Sequence, residues 1–468
     1  MVEGGDLDER PDILFIAIDD LNDWVAALDG PIKAKTPNID ALAARGMLFT
    51  NAHAVGTSCT PSRTALLTGV SPFKSGLYSH NIDWREHPAL SEQATLPRHF
   101  RDNGYQTLGA GKIFHAHTYY INGARGQQDK DAWDGYFPSL DRQLTDEIYP
   151  VERQTQGEVL GRGKRTGRFD YLPISATDAA MGDGQVVSWV SEQLTAPSDS
   201  PRFIAAGIYR PHLPWYTPEK YFDLYPLEEI TLPPHLENDR DDVPSWQGKA
   251  SESQGLGYGG MPRLSDPDNA AVKEAMQGYL ASISFADAMV GKLIKALDES
   301  GRADRTIIVL WSDHGWHLGE KDTWGKFTLW ERSSHVPFIV VAPGVTRPGT
   351  RSHEAVSLQS VYATLSDLAG LEVPKHVDGA SLRPLLEDPS LRWDEVVFTT
   401  SEYGSYAVQD DQFRYIRYAN GGEELYDHKT DPNEWTNLAG DPEHAQTLTV
   451  MRQKAPRVDE QAAPQERD

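Results

Sequence analysis

The sequence predicts an α/β fold, a sheet sandwiched between helices, and three observations carry that expectation. Residues 12–18 (DILFIAI) form a short apolar run with the pattern of a strand buried on both faces. Residues 306–311 (TIIVLW) repeat the pattern. Stretches with helix start and stop signals alternate with such runs, as they do where helices cover both faces of a sheet. Each run ends directly on a polar pair, Asp19-Asp20 in the first case and Asp313-His314 in the second. Ligands in sheets of this kind gather beyond the carboxyl ends of strands, which is where both pairs lie.

Taken in order, TPNIDALAARGMLFTNAH reads as a helix over 37–44, Gly46 as its stop, and a strand over 47–50. A second helix begins at Pro61, and LPRHFRDNGYQTLGAGKIF reads as helix, turn and strand. Residues 123–168 are polar and Gly-rich with weak periodicity, the mark of an irregular insertion. PFIVVAPG supplies a further strand at 337–342. After DGASLRPLLEDPS the character changes: VVFTTSEYGSYAVQDDQFRYIRYANGGEELYDH alternates and turns at GG, as a small antiparallel sheet would. A chain of 468 residues exceeds what one simple core supports. The expected division is a main domain over 1–390 and a C-terminal subdomain over 391–468 with a loose tail, AAPQERD.

Composition narrows the function. Hydrophobic residues make up 39% and charged residues 24%, with 12 Trp and 19 Tyr, enough apolar surface for a core and too much for a disordered chain. The formal charge of −25 repels nucleic acid and anionic membranes, so neither is an expected partner. An anionic substrate would need local positive charge from a metal or from a few basic side chains. The apolar segment ILFIAI is too short for a secretory leader or a membrane span, and the expected location is cytoplasmic, or periplasmic or secreted if a leader has been removed. A single cysteine, Cys59, allows no internal disulfide.

Cys59 lies in TSCTPSRTALLTG, just before the helix that Pro61 announces, with Thr60 or Ser58 as cap candidates. Free N–H groups and the positive end of the dipole suit an anion or an anionic nucleophile there. A catalytic thiolate is one reading. A cysteine phosphatase loop, however, places its arginine further along, and here position 65 is Ala while Arg63 stands four residues after the cysteine. The acidic pairs add a second difficulty, because carboxylates select a hard cation, for which a thiolate is a poor companion and an oxygen nucleophile a better one. An Asp after a strand is also a common turn former or helix cap, so either pair alone has a purely structural explanation.

Cys-Thr-Pro-Ser-Arg followed by Leu-Leu-Thr-Gly resembles the signature of type I sulfatases, in which Cys-x-Pro-x-Arg directs oxidation of the cysteine to formylglycine. DDLNDW, TPNIDALAARGMLFTNAH, GYQTLGAGKIFH, RPHLPW, SDHGWHLGEKDTWGK, HVPFIVVAPG and ELYDHKTDPNEWTNLA resemble the same family in the same order. GKIFH and SDHGWHLGE with its downstream lysine are similar to the iduronate-2-sulfatase branch. The resemblance implies an alkaline phosphatase-like fold, with a central mixed, mainly parallel sheet flanked by helices and a small C-terminal antiparallel sheet, and a sulfuric ester hydrolase acting on sugar or aryl sulfates, with 2-O-sulfated uronates as one candidate. Phosphodiester or phosphonate monoester hydrolysis, and a non-catalytic carbohydrate-binding relative, are the alternatives.

By motif, the resemblance implies that Asp19, Asp20, Asp313 and His314 hold a divalent cation together with an oxygen of modified Cys59. Ca²⁺ is the first expectation, with Mg²⁺ and Mn²⁺ as alternatives. Arg63 would orient the nucleophile, and Lys112 and Lys326 would grip the sulfate oxygens. His115 would take a proton from the second hydroxyl of the hydrated aldehyde to expel sulfate, and His212 would protonate the leaving alcohol. A formylglycine-generating maturation enzyme is the implied protein partner. Trp24, His80, Trp84 and Trp215 are candidates for stacking on a sugar, although aromatics of this kind more often fill a core or its rim.

Overall fold

The run DILFIAI forms β1 (Asp12–Ile18), and all of its residues are buried. Side chains alternate across a strand, so Leu14, Ile16 and Ile18 enter one apolar cluster while Ile13, Phe15 and Ala17 enter another. Each fully buried aliphatic side chain contributes about 1.5–3 kcal/mol, which only a run without polar residues can collect on both faces. The structure is a computed structural model and describes residues 10–80, 82–116, 126–146, 148, 169–244, 264 and 269–456.

Seven more strands join β1 among the described residues: β2 (Met47–Phe49), β3 (Gln106–Gly111), β4 (Gly135–Phe137), β5 (Arg202–Ile208), β6 (Thr306–Ser312), β7 (Phe338–Val341) and β8 (Thr350–Ser352). The spatial order is β8-β2-β7-β6-β1-β5-β3-β4. β7 pairs antiparallel with both neighbours, and every other pairing is parallel. β1 is therefore central, with β6 and β5 in parallel register on either side.

Helices cover both faces. α1 (Pro37–Ala43), α3 (Gly182–Thr195) and α4 (Ala270–Glu299) pack on the side of Leu14, Ile16 and Ile18. α2 (Cys59–Thr68) and α5 (Val361–Leu368) pack on the other. A second sheet follows, the consecutive antiparallel strands β9 (Val397–Glu402), β10 (Ser405–Gln409), β11 (Phe413–Arg417) and β12 (Glu423–Asp427). Its first strand is tied to the segment leading into α2: Thr57 N–H donates to Thr400 O at 2.9 Å, and Thr400 N–H donates to Val55 O at 2.9 Å.

Three local expectations change. α2 starts at Cys59 and not at Pro61; the first N–H groups of a helix have no intrahelical partner, so a proline is tolerated anywhere in that turn. Gly46 is not a left-handed stop. α1 ends at Ala43, and Gly46 is needed because a Cβ there would lie 2.3 Å from Val340 O. The stretch 123–168 also contributes β4 to the sheet edge, where Gly135–Phe137 pair with residues 108–110 of β3. The remainder of that stretch over 123–125, 147 and 149–168, and the tail 462–468, lie outside the described residues.

Candidate active site

Parallel pairing in register brings the carboxyl ends of β1 and β6 together, Ile18 opposite Ser312. The two polar pairs that follow therefore meet. Asp20 N–H donates to Asp313 Oδ1 at 3.1 Å, and Asp20 itself takes a left-handed backbone, φ 60°. α2 enters the same place with Cys59 as its first residue and Ser58 as its N-cap, all ten residues of the helix being buried.

Arg63 lies one turn along α2 and spans the whole cluster. Its Nε donates to Asp313 Oδ2 at 2.8 Å, its Nη2 to Asp19 Oδ1 at 3.1 Å, and its Nη1 to the carbonyls of Lys112 and Ile113 at 2.6 and 3.0 Å. Lys112, just beyond β3, donates to Asp19 Oδ2 and stands 3.8 Å from Cys59 Sγ. Lys326 Nζ donates to Asp20 Oδ1 at 2.7 Å and lies 3.0 Å from Cys59 Sγ. His314 Nε2 is 3.3 Å from the same sulfur, while its Nδ1 lies 3.1 Å from Gly315 O. With the Nδ1 proton donated to that carbonyl, the Nε2 lone pair points into the cluster.

Of the other two histidines, His212 sits deeper. Its Nδ1 is 2.7 Å from Leu213 O, and its Nε2 is 3.9 Å from Asp20 Oδ2. His115 is half-buried, with its ring 4.9 Å from that of His80. All ten residues singled out for metal binding or catalysis thus fall at one end of the sheet.

Burial governs the electrostatics. It pushes Asp20 up to about 7 against the pull of Lys326, with Asp19 and Asp313 adding to the rise. Burial would raise Asp19 and Asp313 too, but Lys112 holds the first below the usual carboxylate range, and Arg63 and His314 hold the second well below it. Burial brings His314 down to about 4, which keeps its ring neutral at ordinary pH. The Cys59 thiol is pushed up by burial in spite of the two lysines, so in this setting it is a protonated thiol and not a thiolate.

Donor atoms of Asp19, Cys59, Asp313 and His314 all lie within 4.8 Å of one another, as do those of Asp19, Asp20, Cys59 and His212. Asp20 Oδ2 is buried and accepts no hydrogen bond. Such an oxygen costs about 1–3 kcal/mol or more unless something binds it. Three carboxylates and one neutral imidazole with an idle oxygen fit a hard divalent cation.

For the three tryptophans the core reading holds, and stacking on a sugar does not. Trp24, Trp84 and Trp215 are all buried. Trp215 packs on Tyr279 and Trp316, Trp24 on Tyr279, and Trp84 stacks on Phe114 while its indole N–H donates to Gln127 O at 2.7 Å. A sheet covered on both faces needs large apolar volumes, and these rings supply them. Sequence reasoning missed Ser62, whose hydroxyl donates to Asp313 O at 2.6 Å, and Tyr279, whose hydroxyl donates to Asp20 O at 2.8 Å. Ser62 stands inside the quoted motif and could have been weighed; Tyr279 has no local signal.

Residues 11–371 match the family model described as Sulfatase, and residues 319–461 match one described as N-sulphoglucosamine sulphohydrolase, C-terminal. A sulfatase of Formosa agariphila is 34% identical over 458 residues, covering 96% of this chain and 87% of its own. Human iduronate 2-sulfatase is 32% identical over 405 residues, covering 77% of this chain and 69% of its own. A solved structure in complex with its substrate D-glucosamine-2-N,6-O-disulfate has a TM-score of 0.73 at 22% identity, covering 95% of this chain and 96% of the other.

Proposed function

This chain belongs to the sulfatase family, and from that premise we propose that the cluster around Cys59 hydrolyses sulfate monoesters of sugars, 2-O-sulfated uronates first among them. The chain is a sulfuric ester hydrolase on the alkaline phosphatase-like fold, and the family implies a metal and a formylglycine derived from its cysteine. The observation that carries the site assignment is the convergence on one buried sulfur of Lys326 Nζ at 3.0 Å, His314 Nε2 at 3.3 Å and Lys112 Nζ at 3.8 Å, inside a cradle of three carboxylates.

Oxidation of Cys59 by a maturation enzyme would turn that position into an aldehyde hydrate, which supplies two hydroxyls on one carbon where serine would offer one. Asp19, Asp20, Asp313 and His314 would hold a divalent cation beside it, Ca²⁺ in the first place with Mg²⁺ and Mn²⁺ as alternatives; the cation would supply positive charge at the nucleophile. Arg63 fixes the cradle by holding Asp19 and Asp313 together. Lys112 and Lys326 bind the sulfate oxygens, whose charge grows and spreads in the transition state, and they bring to a chain of charge −25 the local positive field that an anionic ester needs. His212 delivers a proton from Nε2 to the departing alcohol, since its Nδ1 proton is committed to Leu213 O. His115 accepts the proton of the second hydroxyl, so that sulfate leaves by elimination and no stable ester is left behind. These groups all fall within residues 1–390, proposed as the catalytic unit, with 391–468 as its subdomain.

Peptide mass spectrometry across residues 57–63 of protein from the native host tests the modification, the expected result being the loss of SH and H for a carbonyl oxygen. Turnover of an aryl sulfate and of sulfated monosaccharides, set against a phosphodiester, tests the reaction. An unmodified cysteine, or preference for the phosphodiester, overturns the proposal.

A further inference from the structure

Phe327 follows Lys326 and has φ 80°, in the left-handed region where glycine or asparagine is usual and a bulky side chain is strained. Its neighbours Lys326 and Thr328 are buried, while Phe327 is only half-buried. It belongs to none of the four apolar clusters formed by the described residues, so burial of its ring in a core does not account for its being there. Its backbone is pinned, with the N–H donating to Thr57 O at 3.0 Å, two residues before Cys59.

The ring faces a wall beside the candidate nucleophile. Phe327 meets His80 edge to face at 6.0 Å and 85°. The Nδ1 of His80 is 2.9 Å from Thr60 Oγ1, on the residue after Cys59, and its ring lies 4.9 Å from His115. Strained backbone of this kind persists where the surroundings enforce it, and it clusters at ligand clamps. An aromatic ring held half-open beside a site for anionic esters suits the apolar C–H face of a pyranose or the face of an aryl ring.

Resting on the sulfate-ester reading above, we propose that Phe327 is a specificity-determining residue whose ring, braced by His80, packs against the cyclic alcohol portion of the sulfate ester. It selects ring-bearing sulfates over small open-chain alkyl sulfates. The sulfate group itself stays with the two lysines.

The test compares Phe327→Gly, Phe327→Ala and Phe327→Tyr with the parent, using 4-nitrophenyl sulfate, a sulfated hexose and ethyl sulfate. Glycine is the informative change because it adopts this φ without strain, so loss of the ring should leave the thermal midpoint unchanged or raise it. The expected result for Phe327→Gly and Phe327→Ala is a KM for both ring-bearing sulfates raised by about tenfold, with kcat within about twofold of the parent. Tyr restores KM to within about threefold, and kcat/KM for ethyl sulfate does not move. Equal loss on all three esters, or a lower thermal midpoint in the glycine variant with no selective change in KM, would overturn the inference and make Phe327 a prop for the Lys326 segment. Failure of the underlying reading has a different signature: parent protein carrying the verified modification would turn over none of the three sulfates, and this inference would fall with it.

Discussion

Lys326→Met offers the sharpest test of how the cluster is held together. The lysine and Asp20 form a buried pair at 2.7 Å, with side chains 5% and 1% exposed. Methionine keeps the length and apolar stem of the side chain and removes the charge, leaving Asp20 without its ammonium partner. Breaking one side of a buried ion pair costs about 3–5 kcal/mol. Unfolding entropy near the midpoint is about 2.1 cal/mol/K per residue, which for 468 residues is about 1 kcal/mol/K, so Tm should fall by about 3–5 °C in the presence of a chelator. A divalent cation in the cradle replaces the missing charge next to Asp20. Cation at about 100 times its Kd stabilises any protein that binds it by about 2.7 kcal/mol, or about 3 °C here, and the variant should gain more than the parent because no ammonium competes with the cation for Asp20 Oδ1. The gap between the two should therefore shrink by about half or more in millimolar Ca²⁺, while kcat/KM falls by about 10²–10³. Differential scanning fluorimetry with and without chelator measures the first effect and aryl sulfate kinetics the second. A gap of the same size in both conditions would refute the reasoning, because it would mean that the cation does not sit against Asp20.

Gly207→Ala attacks the site from behind: a Cβ there would stand 2.3 Å from Lys112 C and O and 2.4 Å from its N, so the end of β3 must move. The expected outcome is a loss of about 1–3 kcal/mol in unfolding free energy and about 10²-fold or more in kcat/KM, read by thermal melts and kinetics. Cys59→Ser should keep the fold, since the thiol is buried without a structural bridge, but support no steady-state turnover; intact mass spectrometry should find either unmodified protein or a trapped sulfate ester. His317 is held down to about 3 by burial, with Arg332 and Lys321 adding to the effect. Its contribution to stability is complete above the unfolded value near 6.5 and is lost as pH falls toward 3, at up to about 1.4 kcal/mol per pH unit. In urea unfolding between about pH 7 and about pH 5, His317→Gln should remove that slope, and an unchanged slope would count against it.

How much could be read from the sequence depended on whether the signal was local. Asp19, Asp20, Asp313 and His314 were legible because each pair ends an apolar run, and parallel pairing of β1 with β6 then forces the two ends together. Arg63 was legible through the Cys-x-Pro-x-Arg motif that resembles the sulfatase signature. β4 was not, because its three residues gain their strand character from pairing with β3 and not from their own sequence. The three tryptophans stayed open between core and cleft for a related reason. Nothing in sequence separates a ring that fills the space between sheet and helix from one that lines a cleft; only the pairing order decides that. Phe327 is the extreme case, since both its backbone strain and its position opposite His80 arise from contacts between segments far apart in the chain.

The C-terminal sheet explains how the Lys326 segment stays in register. β9 fixes residues 54–57 ahead of Cys59 through Thr399 and Thr400. From β11, Arg414 Nη1 donates to Leu329 O at 3.0 Å, and its guanidinium pairs with Glu331 and Glu434. Beside Glu331, Arg332 pairs with Asp23 and, at 3.2 Å, with Glu320. Burial works against ionisation of Asp23, yet Arg332 and His335 bring it down to about 2. The chain of ion pairs thus runs from the sheet through residues 331–332 to Asp23, three positions beyond Asp20. Buried pairs add little net stability, but removing one partner is costly, so they penalise wrong registers more than they reward the right one. That is what a segment with left-handed residues at Lys321, Asp322 and Phe327 requires, because its own backbone preferences would not keep Lys326 3.0 Å from Cys59. The small sheet therefore acts on the chemistry without touching the reacting atoms: it holds the two segments that carry Cys59 and Lys326 against each other.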